Sequence, residues 1–202
     1  MKKNLIIAAL IIWNLILMAV LIVVWIRLRP AQILVTQNAP TAPEANSAAG
    51  EQNFTYKTGD RMVGDKAPPI ADRNIALTVT FDTQDKGGVI VAHGGLAQGY
   101  ALYVEDGQLF FVTRRNNALT TVDGGKLTAG RHTLKATFSK TGALAVSLDN
   151  QSPATGNAGG GIAAEPIDGF DVGGDRGAAV GPYAVPNDFG GIIESVSLKT
   201  TP

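Results

Sequence analysis

With 202 residues, 24 glycines and 45% hydrophobic side chains, the chain can form one packed domain with appendages. Its 17 basic and 17 acidic residues leave no net charge, and the lack of a basic block excludes the electrostatic footprint of a nucleic-acid binder. The absence of cysteine excludes disulfides, thiolate catalysis and Cys-ligated metals, and leaves His93 and His132 as the only imidazoles.

The stretch LIIAALIIWNLILMAVLIVVWI, Leu5 to Ile26, is apolar apart from Asn14. As a helix it would span roughly 33 Å, enough for a bilayer core. RLRPAQ follows where a small-x-small cleavage site would be needed, so residues 1–29 read as a retained transmembrane anchor. Trp25, Arg27 and Arg29 suit the membrane–water interface. Lys2 and Lys3 nearly balance the two arginines. By analogy with other single N-terminal anchors, the expected placement is the bacterial inner membrane, with a cytoplasmic N-terminus and a periplasmic or extracellular β-domain. Trp13 and Asn14 lie near mid-span, where an amide gains by bonding across to another helix, so they are the candidate contacts with a partner integral membrane protein. A bond from Asn14 to its own backbone is the equal alternative. No GxxxG pattern marks a self-dimer face. Residues 30–53, rich in Ala, Asn, Gln and Thr with prolines at 30, 40 and 43, read as a linker.

From residue 54 to 202 the hydrophobic period becomes two. IALTVTF places Ile75, Leu77, Val79 and Phe81 on one face. YALYVEDGQLFFV reads as two strands joined at Asp106-Gly107, a pair that accepts positive φ. RHTLKATFS alternates through Leu134, Ala136 and Phe138, GALAVSLDNQ through Leu144, Val146 and Leu148, and IIESVSLKT closes the chain. Short alternating strands without an amphipathic helix predict an all-β fold, an antiparallel β-sandwich, preceded by one transmembrane α-helix. His93 and His132 read as one polar loop residue and one strand residue.

Three stretches, GGVIVAHGGLAQGYALYVEDGQLFFV, LTAGRHTLKATF and FDVGGDRGAAVGPYAVPNDFGGIIESVSL, resemble the C-terminal accessory domain found behind the catalytic domain of bacterial arylsulfatases. That domain is similar in turn to the concanavalin-A-like and laminin-G-like jelly rolls. The resemblance runs from about Asn74 to Leu198 and implies a jelly-roll sandwich. It implies no sulfatase chemistry, because the catalytic Cys or Ser motif of those enzymes lies in their other domain; this chain has neither Cys nor Ser-x-Pro-x-Arg.

Asp168, Asp171, Asp175 and Asp188 are hard oxygen ligands that could converge, and Asp171 with Asp175 form the calcium candidate. The competing reading makes them turn and cap residues, with Arg176 paired to Asp171 or Asp175. No other cofactor is expected. Gly173, Gly174 and Gly177, and the run Gly159 to Gly161, precede neither Gly-Lys-Ser/Thr nor an amphipathic helix, which argues against a phosphate loop. Tyr100, Tyr103, Phe110 and Tyr183 could stack on a sugar while Asn116, Asn117 and Arg114 bond its hydroxyls; Tyr183 and Asn117 head that set. Phe110 and Phe111 must point to opposite faces, so one is exposed or covered by a neighbour. Glu105, Glu165 and Glu194 form no strand motif of a glycoside hydrolase, and no enzyme is expected. The leading functional expectation is a non-enzymatic accessory subunit of a larger membrane complex, conceivably energy-transducing. The alternative is a membrane-anchored carbohydrate-binding module.

Overall fold

The computed structural model describes residues 50–84 and 87–202. The anchor, Trp13, Asn14 and linker residues 30–49 lie outside the described residues. Among the described residues no helix is long and apolar enough to cross a membrane.

The strands are β1 (Gln52–Tyr56), β2 (Arg61–Met62), β3 (Asn74–Thr83), β4 (Gly88–Gly94), β5 (Gly99–Glu105), β6 (Gln108–Arg115) and β7 (Ala118–Lys126). They continue with β8 (Gly130–Phe138), β9 (Ala143–Leu148), β10 (Ala154–Asn157), β11 (Phe170–Val172), β12 (Gly174–Asp175), β13 (Asn187–Asp188) and β14 (Ile192–Thr201). One sheet runs β1-β14-β3-β8-β9-β10, all antiparallel. The other runs β12-β13-β4-β5-β6-β7, with β11 joining β2 to β4; its β13–β4 pairing is parallel. The predicted antiparallel sandwich is therefore present. β1 begins at Gln52, two residues inside the stretch whose composition reads as linker, because it pairs with β14 as an edge strand.

The core lies between the sheets. Ile75, Leu77, Val79 and Phe81 from β3, Leu134, Ala136 and Phe138 from β8, and Leu144, Val146 and Leu148 from β9 are buried as their alternation predicts. They pack in one cluster with Ile90, Leu102, Leu109, Phe111 and Phe170 from the facing sheet. Each large side chain so buried contributes about 1.5–3 kcal/mol. β14 breaks the alternation once: a bulge between Ile193 and Ser195 lets Ile193 and Val196 both face inward. The Asp106-Gly107 turn adopts the expected positive φ, 51° and 72°. A second turn of the same kind, Asn116-Asn117 at 49° and 66°, joins β6 to β7.

Both histidines are buried strand residues, which corrects the loop placement of His93. His93 lies on β4 with the Tyr100 and Phe170 rings at 5.6 and 5.4 Å, edge-on. Its Nδ1 has no hydrogen-bond partner, and burial pushes its pKa down to about 3. His132 lies on β8 in the opposite sheet, with Nδ1 2.9 Å from Asp149 Oδ2 and Nε2 2.9 Å from the Thr128 carbonyl. Burial opposes its charge, but the bonds to Asp149 and Thr128 outweigh that effect and raise its pKa.

The two side chains oppose each other in acid. His93 is depressed in the fold, so its contribution is present above pH 6.5 and is lost as pH falls from there toward about 3. The slope is at most about 1.4 kcal/mol per pH unit for one proton. His132 is raised, so its contribution is fully present below pH 6.5 and fades as pH climbs through its folded value. Denaturant unfolding at pH 7 and pH 5 should show His93→Phe losing less stability on acidification than the parent, and His132→Gln losing more.

Candidate functional site

β4 and β5 are buried on both faces. The other sheet covers their inner side, and residues 176–186 cross their outer side as a strap. Val180 of this strap packs on Val89, Ala92, Ala101, Tyr103 and Val112. Arg114 Nε donates to the Val180 carbonyl at 2.6 Å, and Arg114 Nη1 donates to the Asn117 carbonyl at 3.1 Å. Further along, the Tyr183 hydroxyl donates to Asp175 Oδ2 at 2.8 Å, while the Gly177 N–H donates to Asp175 Oδ1 at 3.3 Å. Burial raises the Asp175 pKa against the pull of these donors, and burial together with the Asp175 charge pushes the Tyr183 phenol up. The Tyr183 ring lies 5.0 Å from Tyr103, which stacks on Phe110 at 5.1 Å. Gly181 is required here, because a Cβ at that position would stand 2.4 Å from the Tyr183 ring.

Beyond Tyr183 the strap and the β5–β6 turn enclose an open cleft of about 530 Å³. Its walls are Tyr103, Val104, Glu105, Asp106 and Gly107 on one side, Lys126 and Leu127 below, and Tyr183, Asn187 and Gly87 opposite. The Leu127 N–H donates to the Gly107 carbonyl at 2.8 Å and the Gly190 N–H to the Gly87 carbonyl at 3.0 Å, so backbone bonds fix both walls. The burial of Tyr103 and the nearby Glu105 carboxylate push the Tyr103 phenol up to about 12. Two smaller hollows on the other sheet, about 300 and 240 Å³, are lined by residues such as Thr137 and Ala145 and hold no carboxylate.

The residues singled out in the sequence do not gather in one place. Tyr183 borders the cleft. Asn117 occupies the turn at the far end of β6, and Tyr100 is fully buried on the inner face, so neither is available at this site. Tyr103 borders the cleft but is 3% exposed, covered by Phe110 and Tyr183. Phe111 is the inward member of its pair, and Phe110 is the one covered by a neighbour. Glu105, considered in the sequence only as a hydrolase carboxylate, joins Asp106, Lys126 and Asn187 at the cleft. Those three carried no sequence signal beyond a turn, since the β4–β13 and β12–β13 pairings that deliver Asn187 are non-local.

Asp171, Asp175 and Asp188 are engaged by protein donors. Arg61 Nε lies 3.3 Å from Asp171 Oδ1, and the Arg176 N–H donates to Asp171 Oδ2 at 3.2 Å. The Arg176 guanidinium bonds Asp188 at 2.8 Å, which corrects the expected pairing with Asp171 or Asp175. Among the described residues no group of three or more His, Asp or Glu side chains is arranged to hold a metal ion. Both oxygens of Asp175 accept hydrogen bonds, from Tyr183 and Gly177.

No protein-family model and no curated protein sequence matches the chain. Among solved structures, domains LG4-5 of the mouse laminin α1 chain match with TM-score 0.55 and 19% identity, over 73% of this chain and 42% of that one. The CBM40 domain of the Ruminococcus gnavus IT-sialidase, bound to α2,6-sialyllactose, matches with TM-score 0.50 and 16% identity, over 73% of this chain and 90% of that one. The chain thus spans less than half of the laminin structure and most of the CBM40 domain. The fold is that of the laminin-G-like, concanavalin-A-like jelly-roll sandwiches.

Tyr183→Phe removes a donor from the buried Asp175 carboxylate and should cost about 1–3 kcal/mol in equilibrium unfolding. Asp175→Asn, which keeps an acceptor for the Tyr183 hydroxyl, should cost less.

Proposed function

We propose that the chain is a non-catalytic carbohydrate-binding module of the lectin type. The observation that carries this reading is the cleft: an aromatic ring fixed by Asp175 borders a shallow hollow whose rim presents the carboxylates of Glu105 and Asp106, the Lys126 ammonium and the Asn187 amide. Tyr183 offers an apolar face to a pyranose, and the polar groups accept from or donate to its hydroxyls. The CBM40 domain, a sandwich of the same fold, was solved with α2,6-sialyllactose, which supports the capacity of such a scaffold to hold a sugar. Residues 1–29 would tether the module to the bacterial inner membrane, with the sandwich on the periplasmic or extracellular side and residues 30–49 as its lead. The accessory-subunit reading rests on Trp13 and Asn14, outside the described residues, and no feature of the described sandwich favours it over the cleft.

A glycan array probed with the full chain in mild detergent should show reproducible binding. Tyr183→Ala should weaken that binding by roughly 10-fold or more, the loss expected for about 1.4 kcal/mol. Asn117→Ala should leave it unchanged, because a β6 strand of about 25 Å separates that turn from the cleft. A chain that binds no glycan above background would refute the module.

A further inference from the structure

The charge of the cleft narrows the class of sugar it takes, an inference that rests on reading the cleft as a glycan site. Among the described residues two carboxylates, Glu105 and Asp106, and one ammonium, Lys126, line it. Carboxylates only accept hydrogen bonds, so what they require from a ligand is O–H or N–H donors. A saccharide with free hydroxyls supplies them. A carboxylated or sulfated saccharide brings further acceptors and negative charge against the same rim.

Four of the protein's better anion receptors are engaged elsewhere. Recognition of a carboxylate or sulfate favours the two-pronged fork of a guanidinium over the point charge of a lysine. No arginine lines the cleft among the described residues. Arg176 is paired with Asp188, Arg131 with Glu194 and Arg61 with Asp171, while Arg114 is spent on the carbonyls of Val180 and Asn117. The hairpin fixes where the two carboxylates start from: Asp106 stands at φ 51° in a two-residue turn and Glu105 ends β5.

We propose that the cleft selects uncharged saccharides and discriminates against those bearing carboxylate or sulfate groups. Tyr183 takes the C–H face of a neutral pyranose, Glu105 and Asp106 accept from its hydroxyls, and Lys126 and Asn187 donate to its ring or acyl oxygens. The preferred ligand class would therefore differ from the sialylated one held by the CBM40 domain.

The test is a paired array read with the full chain. Uncharged oligosaccharides of glucose, galactose, mannose, xylose and N-acetylglucosamine stand beside the same cores carrying sialic acid, uronic acid or sulfate; lactose against α2,6-sialyllactose is one such pair. Binding should favour the uncharged member by roughly 10-fold or more, and Tyr183→Ala should weaken it by roughly 10-fold or more. The double variant Glu105→Gln/Asp106→Asn keeps side-chain size, and Asn tolerates the positive φ of the turn, so the fold should persist while the discrimination shrinks. Tyr183-dependent binding that is equal or tighter for the anionic members would overturn the selectivity while leaving the glycan-binding reading intact. Discrimination unchanged in the double variant would also overturn it. Absence of binding to either set would sink both.

Discussion

The strap of residues 176–186 is the element on which the cleft depends. Without it, β4, β5 and β6 would expose Val89, Ala92, Ala101, Tyr103 and Val112 on one contiguous outer face. A sandwich normally turns polar side chains outward along such strands. This sequence puts apolar side chains on both faces and then covers the outer one with its own chain. Two of the hydrogen bonds that hold the cover differ in character. Arg114 reaches the Val180 carbonyl with a charged donor at 2.6 Å, and Tyr183 reaches a buried carboxylate at 2.8 Å. Charge-assisted bonds are stronger than neutral ones, and a strap of small residues, Gly177 to Gly181, lies close enough to the sheet for both to form.

Beneath the same sheet the polar accounting is less complete. His93, Tyr100 and Thr113 are cross-strand neighbours on β4, β5 and β6, and each carries a buried polar atom without a hydrogen-bond partner. Such atoms cost roughly 1–3 kcal/mol each. The histidine among them is the one that burial holds neutral far into acid, whereas His132 in the other sheet is bonded through both ring nitrogens and gains by protonation. The two histidines thus respond to acid with opposite sign.

The legibility of the sequence follows the same division. β3, β8 and β9 have one wet face, so their alternation survives in the sequence and predicts the buried set residue by residue. β4 and β5 are dry on both sides, so GVIVAHG and GYALYVE show no period, and His93 looks like a loop residue beside its glycines. β7 hides for the opposite reason: Val122 is its one buried side chain. In β14 the bulge at Glu194 shifts the phase halfway along. Tyr183 was visible as an aromatic outside any strand, but the pair Glu105 and Asp106, Lys126 and Asn187 come from three segments that only strand pairing brings together. Asn117 resembles them in type and lies at the wrong end of a strand.

The acidic, glycine-rich run from Gly169 to Gly191 shows how a stretch suggestive of ligand chemistry can instead be the frame of a site. Asp175 pairs with Asn187 across the β12–β13 hairpin while its carboxylate holds Tyr183. One residue therefore sets two elements of the same cleft wall, the ring and the amide. Asp188 then anchors that hairpin twice, by its backbone to Val89 of β4 and by its carboxylate to Arg176. Asp171, tied to Arg61, seats β11 between β2 and β4 behind them. Asp171, Asp175 and Asp188 each meet an arginine, a tyrosine or a backbone N–H, and what those contacts secure is the position of side chains that carry no charge. The charged groups that line the cleft, Glu105, Asp106 and Lys126, stand instead on the β5–β6 turn and the end of β7. Rigidity comes from one wall and chemistry from the other, so the polar rim can change in sequence without disturbing the core, and the strap cannot.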